Sequence, residues 1–348
     1  MAIPELLRTL LTTPGPSGHE TTVAEAWRAA ASEFAEATTD AMGSSYARVR
    51  GKGDGPTIAL MGHVDEIGLA ITHVEDSGLL SFAVIGGFNP EVLVAQRVLV
   101  LHEDGIVPGV LARQRAPRGR DREPVRNEDL FVDVGAHHAD EARSLVSVGD
   151  PVVLAGEPIE LAGGRFASRS LDNRIGAYVV LEAARRVAEA GGAAGDVVAV
   201  ASVQEEIGLH GARASAFGLE PGAAIAVDIT PSSDEPGGDH RESGKVELGG
   251  GPAIDRGPIL NPRLTELLLA VARDEGIAYS IEVSTRGTHT DADEIHLTRS
   301  GIPTGLVSVP IRYTHSPVET AQLSDVEAAI RLVAAAALRI DASTSFAR

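Results

Sequence analysis

Three apolar runs in this chain end in residues able to hold a metal ion or move a proton. Thr57-Ile58-Ala59-Leu60-Met61-Gly62 leads into His63-Val64-Asp65-Glu66, Val197 to Val203 leads into Gln204-Glu205-Glu206, and Ala223 to Val227 ends at Asp228. Two further groups belong to the pattern: Asp172 opens an expected helix, and His315 follows an expected strand that closes near Val309. Taken singly, each has an ordinary role: a helix N-cap for Asp172, a surface or core position for a histidine, a solvated edge for adjacent glutamates. Taken jointly they converge, because open α/β sheets gather their functional residues at the carboxyl ends of strands. Glu205, Glu206 and Asp228 have no nearby Lys or Arg to neutralise them, so together they repel unless a cation sits among them. Oxygen and nitrogen donors without sulfur suit Zn, Co or Mn. Two such ions about 3.5–4 Å apart, bridged by one carboxylate, share and ionise a water. A carboxylate off the metals then shuttles the proton to the leaving amine. Adjacent glutamates can divide these jobs, one binding metal and the other staying free. Asp65, two residues past His63, either holds the imidazole tautomer or is a turn residue. This chemistry is that of a two-metal hydrolase.

The elements that must position these groups follow from hydrophobic spacing. Ile3 to Leu11 and Thr22 to Phe34 read as helices, separated by the breaker Pro14-Gly15-Pro16. The run 57–62 reads as a buried strand. From Ile67 to about Leu161 the character changes to short apolar runs between turn residues, namely Leu79–Ile85, Arg97–Leu101, Ile106–Leu111, Leu130–Val134 and Pro151–Leu154, with one helix at Ala139 to Val146. That is a small β-rich unit. From Asp172 onward helices alternate with strands: helices at Ile175 to Ala190, Pro262 to Glu275 and Ser324 to Ile340, and strands at Val197 to Val203, Ala223 to Val227, Tyr279 to Val283 and Thr304 to Val309. Ser324 is expected to cap the last helix, with Glu327 three residues on. Alternation of this kind gives an α/β, three-layer domain with a mostly parallel central sheet. The expected division is therefore residues 1–66 and 162–348 as one α/β domain, interrupted by the β-rich insertion 67–161.

Composition narrows the function classes. The chain has 348 residues, 43% hydrophobic and 23% charged, a globular balance long enough for two domains. With Lys+Arg 30 against Asp+Glu 49, the net charge is −19, which repels a phosphate backbone and argues against a nucleic-acid partner. The one local concentration of basic residues, Arg113, Arg115, Arg118, Arg120, Arg122 and Arg126, lies among Pro and Gly and reads as a solvated loop. Cysteine is absent, which excludes disulfide scaffolds, sulfur-ligated metals and thiol nucleophiles. The chain carries no signal-peptide pattern at its start and no apolar run of about 18 residues. The expectation is no membrane partner and a cytoplasmic location.

Five stretches, in order, carry a resemblance. They are Gly62-His63-Val64-Asp65-Glu66-Ile67-Gly68, Ser170-Leu171-Asp172-Asn173-Arg174-Ile175-Gly176, Val203-Gln204-Glu205-Glu206-Ile207-Gly208, Ala226-Val227-Asp228-Ile229-Thr230, and Ile311-Arg312-Tyr313-Thr314-His315-Ser316-Pro317-Val318-Glu319. Across nearly its whole length the chain resembles the M42 family of metallo-aminopeptidases, the group that includes the tetrahedral (TET) aminopeptidases. The resemblance implies two divalent metals per subunit, Zn foremost with Co or Mn as alternatives. It implies His63 and Asp228 on the first ion, Glu206 and His315 on the second, Asp172 bridging both, and Glu205 as general base and then acid. It also implies that the insertion is a β-barrel-like dimerisation domain, that dimers build a homo-oligomer with the dodecamer as leading form, and that substrates are peptides. The chain departs from the family's pattern in the Arg-rich loop and at Gly287-Thr288-His289-Thr290-Asp291-Ala292-Asp293, where His289 is unusual. His289 and His210 read as loop residues more readily than as ligands.

Other readings share parts of this pattern. A related amide hydrolase, a deacetylase or dipeptidase acting on a small metabolite, uses the same metals and base but does not require a free α-amino group. A glycosidase works with two carboxylates, but aromatic residues make only 3% of the chain and two histidines accompany the carboxylates. A non-catalytic assembly protein is disfavoured because every ligand position and Glu205 are present.

Overall fold

The computed structural model describes residues 2–115 and 124–348, so Arg118, Arg120 and Arg122 lie outside it. Among the described residues the chain forms an 11-stranded sheet and a separate closed barrel. Four strands make the centre of the large sheet, in the order Val197–Ser202, Ile58–His63, Ala223–Pro231, Thr304–Arg312, and all run parallel. Their sequences are near-continuous runs of small and β-branched residues because both faces are covered. Val197, Val198, Ala199, Val200, Ala201 and Ser202 are all buried. Antiparallel strands flank this centre: Glu36–Thr39 and Ser45–Val49 on one side, Glu319–Gln322, Arg165–Ser168 and Ile159–Glu160 on the other. Ala253–Arg256 and Ser280–Val283 pair with each other, and the first also pairs with Thr304–Arg312.

One face of the sheet carries the helices Leu171–Glu189 and Leu323–Arg339, packed around Leu7, Trp27, Val179, Leu181 and Val333. The opposite face packs Met61, Val200 and Leu306 under Ala212, Ala216 and Ile295. The result is three layers with the sheet in the middle. Contact between helix and sheet is closest at two glycines. A Cβ on Gly62 would lie 2.6 Å from the Gly176 carbonyl carbon, and one on Gly176 would lie 2.5 Å from the Val227 carbonyl oxygen. Both positions sit beside a functional residue, so glycine there lets the backbones carrying His63, Asp172 and Asp228 approach one another.

The barrel runs from Gly68–Val74 to Pro151–Leu154 and closes in the order Gly68–Val74, Leu80–Ile85, Leu130–Asp133, Gly105–Arg113, Arg97–His102, Pro151–Leu154. It has its own core of Leu69, Ile71, Leu80, Val98, Val100, Leu111, Val132 and Val152. The β-rich character of the sequence between Ile67 and Leu161 is thus met, with Gly68–Val74 and the short helix Pro90–Leu93 as additions. The helix at Ala139 ends at Arg143, not at Val146.

The expected cap of the last helix is corrected. The helix begins at Leu323, Gln322 is its N-cap, and no side chain caps it. The strand Glu319–Gln322 runs directly into the helix, so Ser324 already lies inside the first turn. The acid of that turn, Asp325, instead accepts from the backbone N–H groups of Gly249 and Gly251 at 2.7 and 3.0 Å.

Candidate metal centre

The central strands deliver the acidic and imidazole groups to one place. His63 is the last residue of its strand, Glu205 and Glu206 follow Val197–Ser202, Asp228 lies in Ala223–Pro231, and His315 follows Thr304–Arg312. The loop after Ser202 turns sharply because Gln204 takes a left-handed φ of 57°, and Glu20 accepts its backbone N–H at 3.0 Å. Ser170 and His315 likewise have φ of 55° and 58°. Left-handed conformations cost a non-glycine residue roughly 1–2 kcal/mol and collect where a site dictates the backbone.

Asp172 stands between the two imidazoles. Its Oδ1 is 3.2 Å from His63 Nε2, and its Oδ2 is 3.3 Å from His315 Nε2. His63 Nε2 also lies 3.7 Å from Glu205 and 3.9 Å from Asp228, while His315 Nε2 lies 3.5 Å from Glu206. Ligand atoms of His63, Asp172 and Glu206 fall within 4.8 Å of one another, as do those of His63, Glu205 and Asp228. His63 is buried, whereas the His315 side chain is 37% exposed and borders the open side.

Two carboxylates outside this cluster hold it in place. Asp65, fully buried, has Oδ1 3.3 Å from His63 Nδ1 and accepts from the backbone N–H of Glu205 and Glu206 and from the Ser17 hydroxyl. It is therefore no turn residue. Glu319 does the same on the other side: Oε2 accepts from the Asp172 N–H at 3.1 Å and Oε1 from the His315 N–H at 2.8 Å. Glu319 closes the fifth of the matching stretches, where no role was assigned to it. Its signal was the spacing of four residues after His315. A third acid, Asp291, accepts from the Ser202 hydroxyl at 2.5 Å, and burial, partly offset by His63 and Ser202 and reinforced by Asp65, pushes it up to about 6. His289 lines the same cavity but belongs to neither ligand cluster, and His210 is exposed with Nδ1 3.3 Å from Gln204 Oε1.

Electrostatics mark the centre as incomplete without a cation. Burial, partly offset by His63 and reinforced by Asp228, pushes Glu205 up to about 9. Burial together with the neighbouring carboxylates drives Glu206 and Asp228 well above the usual range. Asp172 goes the other way: burial opposes its ionisation, but His315 and His63 outweigh burial and hold it well below. No Lys or Arg forms an ion pair with Glu205, Glu206 or Asp228 among the described residues. Glu206 Oε1 is buried without a hydrogen-bond partner. A donor set of carboxylates and imidazoles, with mutual repulsion and an unpartnered oxygen, fits divalent cations.

The cluster opens into a cavity of about 490 Å³, lined beyond the ligands by Ile229 to Pro231, Glu282 to Ser284 and Gly287 to Thr290. On its other side Asp172, Glu206 and His315 border a narrower crevice, to which the barrel segment adds Ile67, Phe88 and Leu154.

Comparison with known proteins agrees with this architecture. A profile described as M42 glutamyl aminopeptidase matches residues 43–332. A lysyl aminopeptidase of Pyrococcus furiosus is 36% identical over 346 residues, covering 95% of each chain. The crystal structure of a TET aminopeptidase from a marine-sediment Thaumarchaeota archaeon superposes with a TM-score of 0.92 at 33% identity, covering 97% of this chain and 96% of that one. The Pyrococcus horikoshii TET1 peptidase, described as able to assemble into a tetrahedron or a large octahedral shell, gives 0.86 at 32% identity, covering 97% of this chain and 99% of that one. Fold and relatives together define a peptidase with an α/β body and an inserted barrel. The chain belongs to the M42 family of aminopeptidases and is a hydrolase. Membership implies use of divalent metal. No helix among the described residues is long and apolar enough to cross a membrane.

Proposed function

We propose that the chain removes N-terminal residues from peptides with two divalent cations held side by side, His63 and Asp228 on one, Glu206 and His315 on the other, and Asp172 between them. One observation carries this reading: the two oxygens of Asp172 each face a different imidazole at 3.2 and 3.3 Å. The cations would supply Lewis acidity to an attacking water and to the scissile carbonyl. Glu205, buried and holding its proton at neutral pH for want of a cation, becomes a carboxylate once positive charge is beside it. It then takes a proton from water and returns it to the leaving amine. Asp65 and Glu319 fix the ligand backbones, so the reacting groups need no reorganisation. Carboxylate and imidazole donors accept Zn, Co or Mn, with Zn the first choice.

The same reading divides the chain into a catalytic unit, residues 1–66 and 162–348, and an inserted dimerisation unit, residues 67–161. It makes the working form a homo-oligomer, a dodecamer built from dimers, in the cytoplasm. Similarity to shell-forming peptidases supports the assembly, and light scattering on the purified chain tests it.

The decisive experiment strips the protein of metal, reloads it with Zn, Co or Mn, and offers free and N-acetylated aminoacyl-anilides. Metal-dependent cleavage of the free forms alone is expected. Cleavage of acetylated forms would instead mark an amide hydrolase indifferent to the α-amine. In Asp172→Asn, both cations should be lost together when metal content is measured. Retention of one at full occupancy would refute the bridging role.

A further inference from the structure

Beyond the catalytic residues, the cavity has a lining of mixed character. Ile229, Val283 and Leu306 give it apolar wall, and Asp255 and Glu282 give it two carboxylates. The two acids are register partners on the paired strands Ala253–Arg256 and Ser280–Val283, so both project from neighbouring positions on one face. No Lys or Arg lines the cavity, and no cation pairs with either acid, among the described residues.

The acids differ in what they have left to offer. Asp255 is 1% exposed, and Ser284 occupies both of its oxygens, the backbone N–H on Oδ1 and the hydroxyl on Oδ2. Among the described residues Glu282 receives only the Thr230 hydroxyl, at 2.7 Å on Oε1. An ionised carboxylate has about four acceptor positions, so Glu282 keeps most of its capacity. Burial, offset in part by Thr230 and reinforced by Asp255, raises Glu282 to about 7. Two adjacent acids, Asp255 buried and Glu282 half-buried, without a counterion are costly to keep charged, and a cationic guest removes that cost.

We infer that this wall is the pocket for the side chain of the substrate's first residue, and that Glu282, backed by Asp255, selects a lysine- or arginine-like cation there. The inference rests on the aminopeptidase reading above. With the scissile amide at the Asp172 cluster, the first side chain has the remainder of the same cavity to occupy. An apolar wall ending in acid matches an aliphatic stem with a cationic head. A glutamate side chain would meet like charge, and an uncharged isostere would bury its stem but leave Glu282 without a partner.

The test compares lysine with norleucine, which has the stem and no ammonium. Metal-loaded protein is assayed for kcat/KM on the p-nitroanilides of lysine, arginine, norleucine and glutamate. Binding of free lysine and norleucine is measured by calorimetry alongside. Lysine and arginine should exceed norleucine by tenfold or more, and glutamate should be the poorest. Glu282→Gln should bring the lysine-to-norleucine ratio towards one in both turnover and binding, with a smaller drop for Asp255→Asn. Preference of the wild type for norleucine or glutamate would overturn the pocket assignment and leave the aminopeptidase reading standing. That comparison needs no variant to fold. An unchanged ratio in both folded variants would equally overturn it. Failure to cleave any of the four would remove the aminopeptidase reading, and the pocket with it.

Discussion

Glu66 and Glu206 both bury their side chains, 4% and 7% exposed, yet Glu66 is met by two arginines and Glu206 by none. Arg169 pairs with Glu66 Oε2, and Arg174 Nη2 lies 3.0 Å from Oε1, which also accepts from the Gly15 N–H. Arg174 is fully buried, and its Nη1 donates to the carbonyls of Leu10 and Thr13, tying the N-terminal helix to the helix Leu171–Glu189. At the candidate metal cluster, Glu205, Glu206 and Asp228 sit together with their ionisation opposed. The chain supplies its own cations at Glu66 and, among the described residues, none at Glu205, Glu206 and Asp228. For Glu66 against Glu206, charge compensation and not burial marks the difference.

Four experiments press on that contrast. Glu205→Gln keeps the shape of the uncompensated side but removes its proton carrier, so turnover should fall by about 10²–10⁴-fold with metal content intact. Near-normal turnover would deny Glu205 its role. Glu66→Gln strikes the compensated side and strands two buried guanidinium groups, at about 3–5 kcal/mol of stability. It should lower the denaturation midpoint, and an unmoved midpoint would mean the arginines find other partners.

The third experiment is chelation across pH. Without metal, Glu205 carries a folded value of about 9 against 4.5 unfolded. Between those values the folded state binds more protons than the unfolded one, so stability is full below about 4.5 and drains away as pH rises towards 9. Glu206 and Asp228, also raised, act in the same direction. The melting temperature of chelated protein should fall from pH 5 to pH 9 while that of metal-loaded protein holds, so the gap widens. A constant gap would show that the acids are neutralised by something other than metal. The smallest effect belongs to Glu319→Gln, which weakens the hold on the Asp172 and His315 backbones. Metal affinity should drop by roughly 10–100-fold in a competition titration, and no change would make Glu319 a bystander.

Much of this was legible in the chain alone. Apolar runs ending in His63, in Glu205-Glu206 and in Asp228 are local patterns, and an α/β sheet brings strand ends together by its topology. The change from alternating elements to short strands near Ile67 marked the barrel for the same reason: hydrophobic period is written within a few residues. Ser324 misled because a serine before a helical run reads as a cap whether or not the preceding strand leaves it that position. Other features have no local trace. That Asp65 braces Glu205, 140 residues away, that Glu319 reaches Asp172, and that Asp255 stands beside Glu282 are matters of pairing between distant segments. The sequence determined which residue types stand at the strand ends and in what order. Only the tertiary structure decided which acids receive an arginine and which are left to a cation from outside, because Coulomb and desolvation energies depend on distance and burial in space, not on separation along the chain.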